Sequence, residues 1–349
     1  MNSKYRFYPN VATGFLSDED TKKYFSRMGF AVFGFILASS LSSAGLSLLY
    51  TELAKRFYPT LVSNTSYWMI AANILSLISI YCIGLPIFLA VSSPLPKVTP
   101  FKAKMDIKSW IGGFFIAMLF LSIGSYISNV ILVSIESMMN ITTSNPVGEM
   151  VGNSDIWTTI VFTVILAPIL EEIVFRKLIC DRLLPLGEGY AIFVSAAIFG
   201  LVHGNFYQFA YAFLLGMFFA FIYVKTGKLI YSMIYHILIN FIGSVVSLWI
   251  TEAIDWDAIN GALESGVLDT TDPAFMQSIY ILFAYEAVML ACYVVGLVLV
   301  FKAKKKNLVR LEAGILPPPK HHRFSNIFLT SGVAASIAIF VFTFVFSLL

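Results

Sequence analysis

Long apolar runs constrain this chain more than any other feature. Nine recur, at about 28–50, 67–92, 109–135, 156–179, 189–203, 206–224, 229–250, 278–301 and 325–349. A bilayer core about 30 Å thick takes about 20 apolar residues of α-helix, because backbone polar groups at that depth must be satisfied within the segment. The fifth run is short and stops at Gly204-Asn205, so eight full spans are the alternative count. The apolar/polar alternation of a membrane β-barrel is absent. With 58% hydrophobic residues, 12% charged residues and a mean hydropathy of +0.82, a soluble enzyme is excluded. The expected fold is all-α: a polytopic transmembrane helical bundle of about 8–9 spans around a membrane-embedded polar cavity.

The basic residues sort by side on the nine-span reading. Residues 1–27 carry Lys4, Arg6, Lys22, Lys23 and Arg27, without the layout of a cleavable signal. Lys97, Lys102, Lys104 and Lys108 follow the second span; Arg176, Lys177 and Arg182 lie at the fourth-to-fifth junction; Lys225 and Lys228 follow the sixth. The loop at 302–324 holds all the rest except Lys55 and Arg56, which alone fall on the other side. Positive-inside bias then puts the N-terminus in the cytoplasm and the C-terminus outside. The expected location is the plasma membrane of a bacterium, with the lipid bilayer as an obligatory partner. The membrane rule explains the basic face, and no nucleic-acid module is present.

Residues 251–277 are acidic, with Glu252, Asp255, Asp257, Glu264, Asp269 and Asp272, and read as a solvated outer segment. An acidic docking surface is the alternative. Cys82, Cys180 and Cys292 are far apart and suggest small buried hydrophobes rather than disulfides or a metal motif. Pro317-Pro318-Pro319 reads as a stiff spacer, and His321-His322 beside it as a solvated pair.

Against this background the run from Ile156 contains Glu171-Glu172 and Arg176. A charge at the bilayer centre costs about 2.5–3.5 kcal/mol on insertion scales, so such groups face the protein interior and mark function. At 100° per residue, Glu172 and Arg176 are about 40° apart around a helix and can pair; Glu171 and Arg176, about 140° apart, cannot easily do so. One carboxylate is thereby held while the other points elsewhere, which separates a working base from a structural anion. Pro168 lacks an N–H and frees a backbone carbonyl that must find protein or a water-filled cavity. Only His203 and His236, of four histidines, sit in apolar runs, and Asn240 shares a helix face with His236. All can meet in the cytoplasmic half of the membrane. Glu171 or Glu172 with His203 and His236 would be a sound zinc ligand set. Equally, a Glu–His pair can activate water without metal while a second His and an Asn donate to an oxyanion. Glu286, in the eighth span, reads as a structural anion or a further cavity residue.

The three motifs Glu171-Glu172…Arg176, Phe199…His203 and His236…Asn240 resemble, in order, those of the CPBP intramembrane proteases. These are the CAAX prenyl endopeptidase and bacteriocin-processing proteins, also called the Abi family. The resemblance covers about 156–250, so the chain divides into 1–155, with three spans, a CPBP-like catalytic core at 156–250, and 251–349, with the acidic loop and two further spans. It implies a metallo- or glutamate-dependent endopeptidase that hydrolyses a peptide bond of a membrane-associated protein or peptide. It implies that Glu171 and His203 activate water and that His236 and Asn240 stabilise the oxyanion, with Glu172, Arg176 and Phe199 in support. Two alternatives stand: a self-immunity or membrane-binding role without proteolysis, and a proton- or ion-coupled transporter.

Overall fold

The computed structural model describes residues 5–6, 14–266, 270–319, 321 and 323–348. Lys4, Asp269, Lys320 and His322 lie outside the described residues, as do the side chains of Arg6 and Arg323. The polar residues between apolar runs start the helices. Helix α1 (Asp18–Phe57) follows Ser17, α2 (Thr65–Ser92) follows Asn64, α3 (Ile107–Met139) follows Asp106, and α4 (Ile156–Leu186) follows Asp155. Each of those side chains accepts a backbone N–H of the first turn, which has no intrahelical partner. The hydroxyls of Ser109 and Thr158, followed by backbone N–H groups, hold the carboxyls of Asp106 and Asp155 below the usual carboxylate range. Helix α5 (Glu188–Leu201) is followed by α6 (Phe206–Thr226), capped by Asn205, and α7 (Leu229–Glu252). Helix α8 (Pro273–Lys305), capped by Asp272, and α9 (Ser331–Phe346) complete the bundle.

Seven of these nine helices are long and apolar enough to cross a membrane; α5, with 14 residues, and α9, with 16, are shorter. The ninth apolar run is broken at Leu329-Thr330, which splits Arg323–Phe328 from α9. The architecture is an all-α polytopic membrane bundle. Extended pairing among the described residues is limited to Tyr5–Arg6 against Thr99–Pro100, antiparallel, and a single bridge between Gly187 and Ala313.

Helix α6 is the most deeply buried span and packs on α5 and α3. One apolar core joins α1, α4, α5 and α6, and a second lies between α3, α6, α7 and α8. At the end of α6, Gly227 has φ +63°, and a Cβ there would lie 2.7 Å from the carbonyl oxygens of Pro100 and Phe101. Only glycine turns the chain so tightly into α7.

Helix α4 runs past the expected end at 179 and carries its charges inside the protein. Asp181 accepts from Lys177 Nζ at 2.6 Å, Tyr223 Oη at 2.7 Å and Thr99 Oγ1 at 3.0 Å. Arg182 is buried, and its guanidinium donates to the Ser92 and Leu178 carbonyls. With Arg176 also buried, this junction is not a solvated basic loop, and it adds little to the side assignment. In the acidic stretch, Asp255 caps a short helix, Trp256–Ser265, and Asp272 caps α8, so two of its carboxylates serve as helix starts. Glu286 is exposed on α8 and does not line the cavity described below, which corrects its reading as a cavity residue. Cys180 is buried, but Cys82 is exposed and Cys292 only half-buried; all three thiols are free.

Candidate active site

Glu171 and Glu172 end a six-residue α-helical stretch of α4, Ala167–Glu172, set between two π-helical stretches, Thr159–Leu166 and Ile173–Cys180. Such widened turns are frequent at functional sites. Here they have a local cause. The N–H of Ala167 bonds the Phe162 carbonyl, five residues back. In the same register the Thr163 carbonyl would await the N–H of residue 168, which is proline. Asn240 on α7 takes its place: its Nδ2 donates to the Thr163 oxygen at 2.9 Å. Asn240 is also the last residue before a third π-helical stretch, Phe241–Val246.

Glu172 and Arg176 are both fully buried, and Arg176 Nε donates to Glu172 Oε2 at 3.0 Å. Arg176 Nη1 donates to Ser195 Oγ at 3.1 Å, and that hydroxyl donates to the Phe175 carbonyl at 2.8 Å. Nη2 has no hydrogen-bond partner, but the guanidinium carbon lies 4.9 Å from the Phe199 ring centre and 5.9 Å from that of Phe219. The aromatic faces attract the cation where no acceptor is available. On its other side Glu172 Oε1 lies 3.3 Å from His236 Nδ1. The opposite ring nitrogen, Nε2, is 3.7 Å from Glu171 Oε2. His236 therefore stands between the two adjacent carboxylates, stacked on Phe219 at 5.1 Å.

His203 is held differently. Its Nδ1 lies 2.7 Å from the Phe199 carbonyl, which can only accept, so Nδ1 carries a proton and Nε2 is an acceptor in the neutral ring. The Phe199 ring meets both histidines edge-on, at 5.1 Å from His203 and 5.6 Å from His236. Glu171 and His203 both line a cavity of about 570 Å³, whose apolar wall includes Val174, Phe175 and Val202. Glu171 remains 27% exposed, whereas Glu172 has no exposed surface.

The geometry thus brings Glu171, Glu172, Arg176 and His236 into one charged group, with His203 across the cavity from no other partner than Phe199. Asn240 is directed at Thr163, and His236 at the two glutamates, rather than into the cavity. No group of three His, Cys, Asp or Glu side chains among the described residues is arranged to hold a metal ion, and Glu171, His203 and His236 do not form one. Sequence reasoning did not single out Ser195, Phe219 or Thr163. Ser195, Phe199 and His203 are spaced by four on α5, so their shared face was there to be found; Phe219 carries no such signal.

Residues 153–242, spanning α4 to α7, match the family described as type II CAAX prenyl endopeptidase, Rce1-like. This segment of the chain is Rce1-like. Two curated relatives are similar to it. One is the human CAAX prenyl protease 2, 31% identical over 100 residues, which cover 23% of this chain and 30% of that protein. The other is the putative membrane peptidase YdiL of Bacillus subtilis strain 168, 34% identical over 82 residues, covering 23% of this chain and 34% of that protein. The match thus spans about a third of each relative. No solved structure matches. Helices α1, α2 and α3 lie outside the Rce1-like segment, yet α1 and α2 supply half of the cavity wall.

Proposed function

We propose that the protein is a CAAX-protease-like intramembrane endopeptidase that hydrolyses a peptide bond of a membrane-associated substrate near the cytoplasmic side. The observation that carries this reading is the unequal placement of two adjacent carboxylates. Glu172 is spent on Arg176 and His236, while Glu171 faces a cavity shared with His203.

Water in that cavity meets two acceptors, the Glu171 carboxylate and His203 Nε2. Glu171 takes a proton from the water as its oxygen attacks the scissile carbonyl, and His203 orients the remaining O–H. The carbonyl oxygen becomes an oxyanion. His236, fixed at Nδ1 by Glu172, has Nε2 within 3.7 Å of Glu171 and so stands next to the reacting atoms. Asn240 commits one amide N–H to Thr163 and keeps the second. These two are the proposed oxyanion donors. When the C–N bond breaks, Glu171 returns its proton to the leaving nitrogen. No step is routed through a metal, because the donors nearest a zinc site are already directed elsewhere: both His236 nitrogens at glutamates and His203 Nδ1 at Phe199.

The test is hydrolysis by the purified protein in liposomes of a quenched-fluorescence peptide ending in cysteine, two aliphatic residues and a final residue. Product masses should fix one scissile bond, and His203→Gln should lower the rate by about 10²-fold or more. Undiminished cleavage by His203→Gln, or no cleavage by the wild type, would count against the proposal.

A further inference from the structure

The cavity has a second wall that the hydrolytic reading leaves unexplained. Ser39, Ser40, Ser43 and Ser47 of α1 and Ser76 of α2 line it, facing the apolar side chains of α4. Small residues in membrane helices ordinarily serve close packing. Helix α1 does this elsewhere: Gly332 of α9 lies against the Ser26 carbonyl, and Ser336 Oγ donates to the Gly29 carbonyl at 2.6 Å. Membrane-helix hydroxyls also commonly fold back onto a carbonyl of the preceding turn. Ser42 does so onto Ala38 at 2.6 Å, Ser79 onto Leu75 at 2.8 Å and Ser134 onto Val130 at 2.7 Å. The five cavity serines do neither. Among the described residues their hydroxyls make no hydrogen bond, and Ser39 Oγ is buried without a partner, its residue 9% exposed. Gly84 of α2 makes room for it, since a Cβ there would collide with Ser39 Oγ.

The spacing indicates what satisfies these hydroxyls. Ser39, Ser43 and Ser47 are four residues apart, so they recur about every 6 Å along one face of α1. Backbone groups on one edge of an extended peptide recur every second residue, about 6.6 Å apart. The cavity follows α1 from Phe35 to Ser47, twelve residues or about 18 Å, which matches about five extended residues. A peptide at this depth has N–H and C=O groups without water, and a serine hydroxyl can serve either. A hydrocarbon chain would leave every one of these hydroxyls unsatisfied.

We propose that the serine face of α1, with Ser76 of α2, is a substrate subsite that pairs with the backbone of an extended peptide segment, and that this cavity does not house an isoprenoid chain. The inference rests on the reading of Glu171 and His203 as the hydrolytic pair only in naming the peptide as substrate. Its test separates binding from cleavage. The probe is a fluorescein-labelled decapeptide ending in Cys-Val-Ile-Met, its cysteine unmodified, titrated by anisotropy into Glu171→Gln protein in nanodiscs. Adding Ser39→Ala, Ser43→Ala and Ser47→Ala together should raise Kd about ten- to a hundred-fold at an unchanged melting temperature. Ser43→Ala alone, which leaves the buried Ser39 in place, should raise it several-fold. Ser42→Ala, on the same helix but folded back on Ala38, should leave it within twofold, and farnesol should not displace the peptide. Absence of peptide binding, a triple variant within twofold, or displacement by farnesol would overturn the proposal. Serine-dependent binding with no hydrolysis by the wild type would instead sink the hydrolytic reading and leave this one standing.

Discussion

Glu172→Gln tests how the buried charge group is held. Glu172 and Arg176 have no exposed surface and meet at 3.0 Å, and Glu172 also faces His236 at 3.3 Å. The amide keeps the shape and one acceptor but no charge. Arg176 is then left with Ser195 and two aromatic faces. Removing one partner of a buried ion pair costs about 3–5 kcal/mol, and a retained acceptor puts this case near the lower end. At about 2–4 °C per kcal/mol for mid-sized domains, the melting temperature should fall on the order of 10 °C. Arg176→Met leaves Glu172 buried against His236 alone and should cost a similar amount. The double variant leaves no unpaired charge, so its cost should be smaller than the sum of the two by about 2–3 kcal/mol, within the coupling range for contacting residues. Equilibrium unfolding in mixed micelles measures all four corners of the cycle. Additivity within about 0.5 kcal/mol would refute the pairing argument.

Further expectations follow from single contacts and from charge placement. Pro168→Ala restores an N–H that can bond the Thr163 carbonyl and release Asn240; hydrolysis should fall several-fold with little change in melting temperature, and an unchanged rate would show that the latch has no bearing on turnover. Tags at the two termini should be labelled from opposite sides of the membrane, the N-terminal one from the cytoplasm; a C-terminal tag reachable only from the cytoplasm would rule out nine spans in this orientation. Dialysis against a strong chelator should leave peptide cleavage within about twofold, whereas loss of activity restored by zinc would contradict the metal-free route.

The bundle was legible because membrane helices announce themselves by length, and the polar residues between runs are their caps. The Glu172–Arg176 pair was legible because four-residue spacing fixes it on any helix. The orphan carbonyl implied by Pro168 was legible too, but not that Asn240 satisfies it, since that contact joins residues 77 positions apart. The serine wall escaped for a different reason. Serine is ordinary in membrane helices, and only the missing backbone bonds distinguish Ser39 and Ser43 from Ser42. Charges misled where they are internally paired: Arg182 and Asp181 read as a loop and are core. Glu286 misled in the opposite sense, reading as interior although it is exposed.

The central claim is that Glu171, not Glu172, is the base. Single-turnover cleavage of the quenched peptide by Glu171→Gln, on protein whose melting temperature matches the wild type, tests it most directly. The amide keeps the shape of the side chain but cannot take a proton from water, so the rate should fall by about 10²–10⁴-fold, while folded Glu172→Gln retains measurable cleavage. A Glu171→Gln protein that cleaves within tenfold of the wild type, or a stable Glu172→Gln protein with no activity at all, would contradict the account.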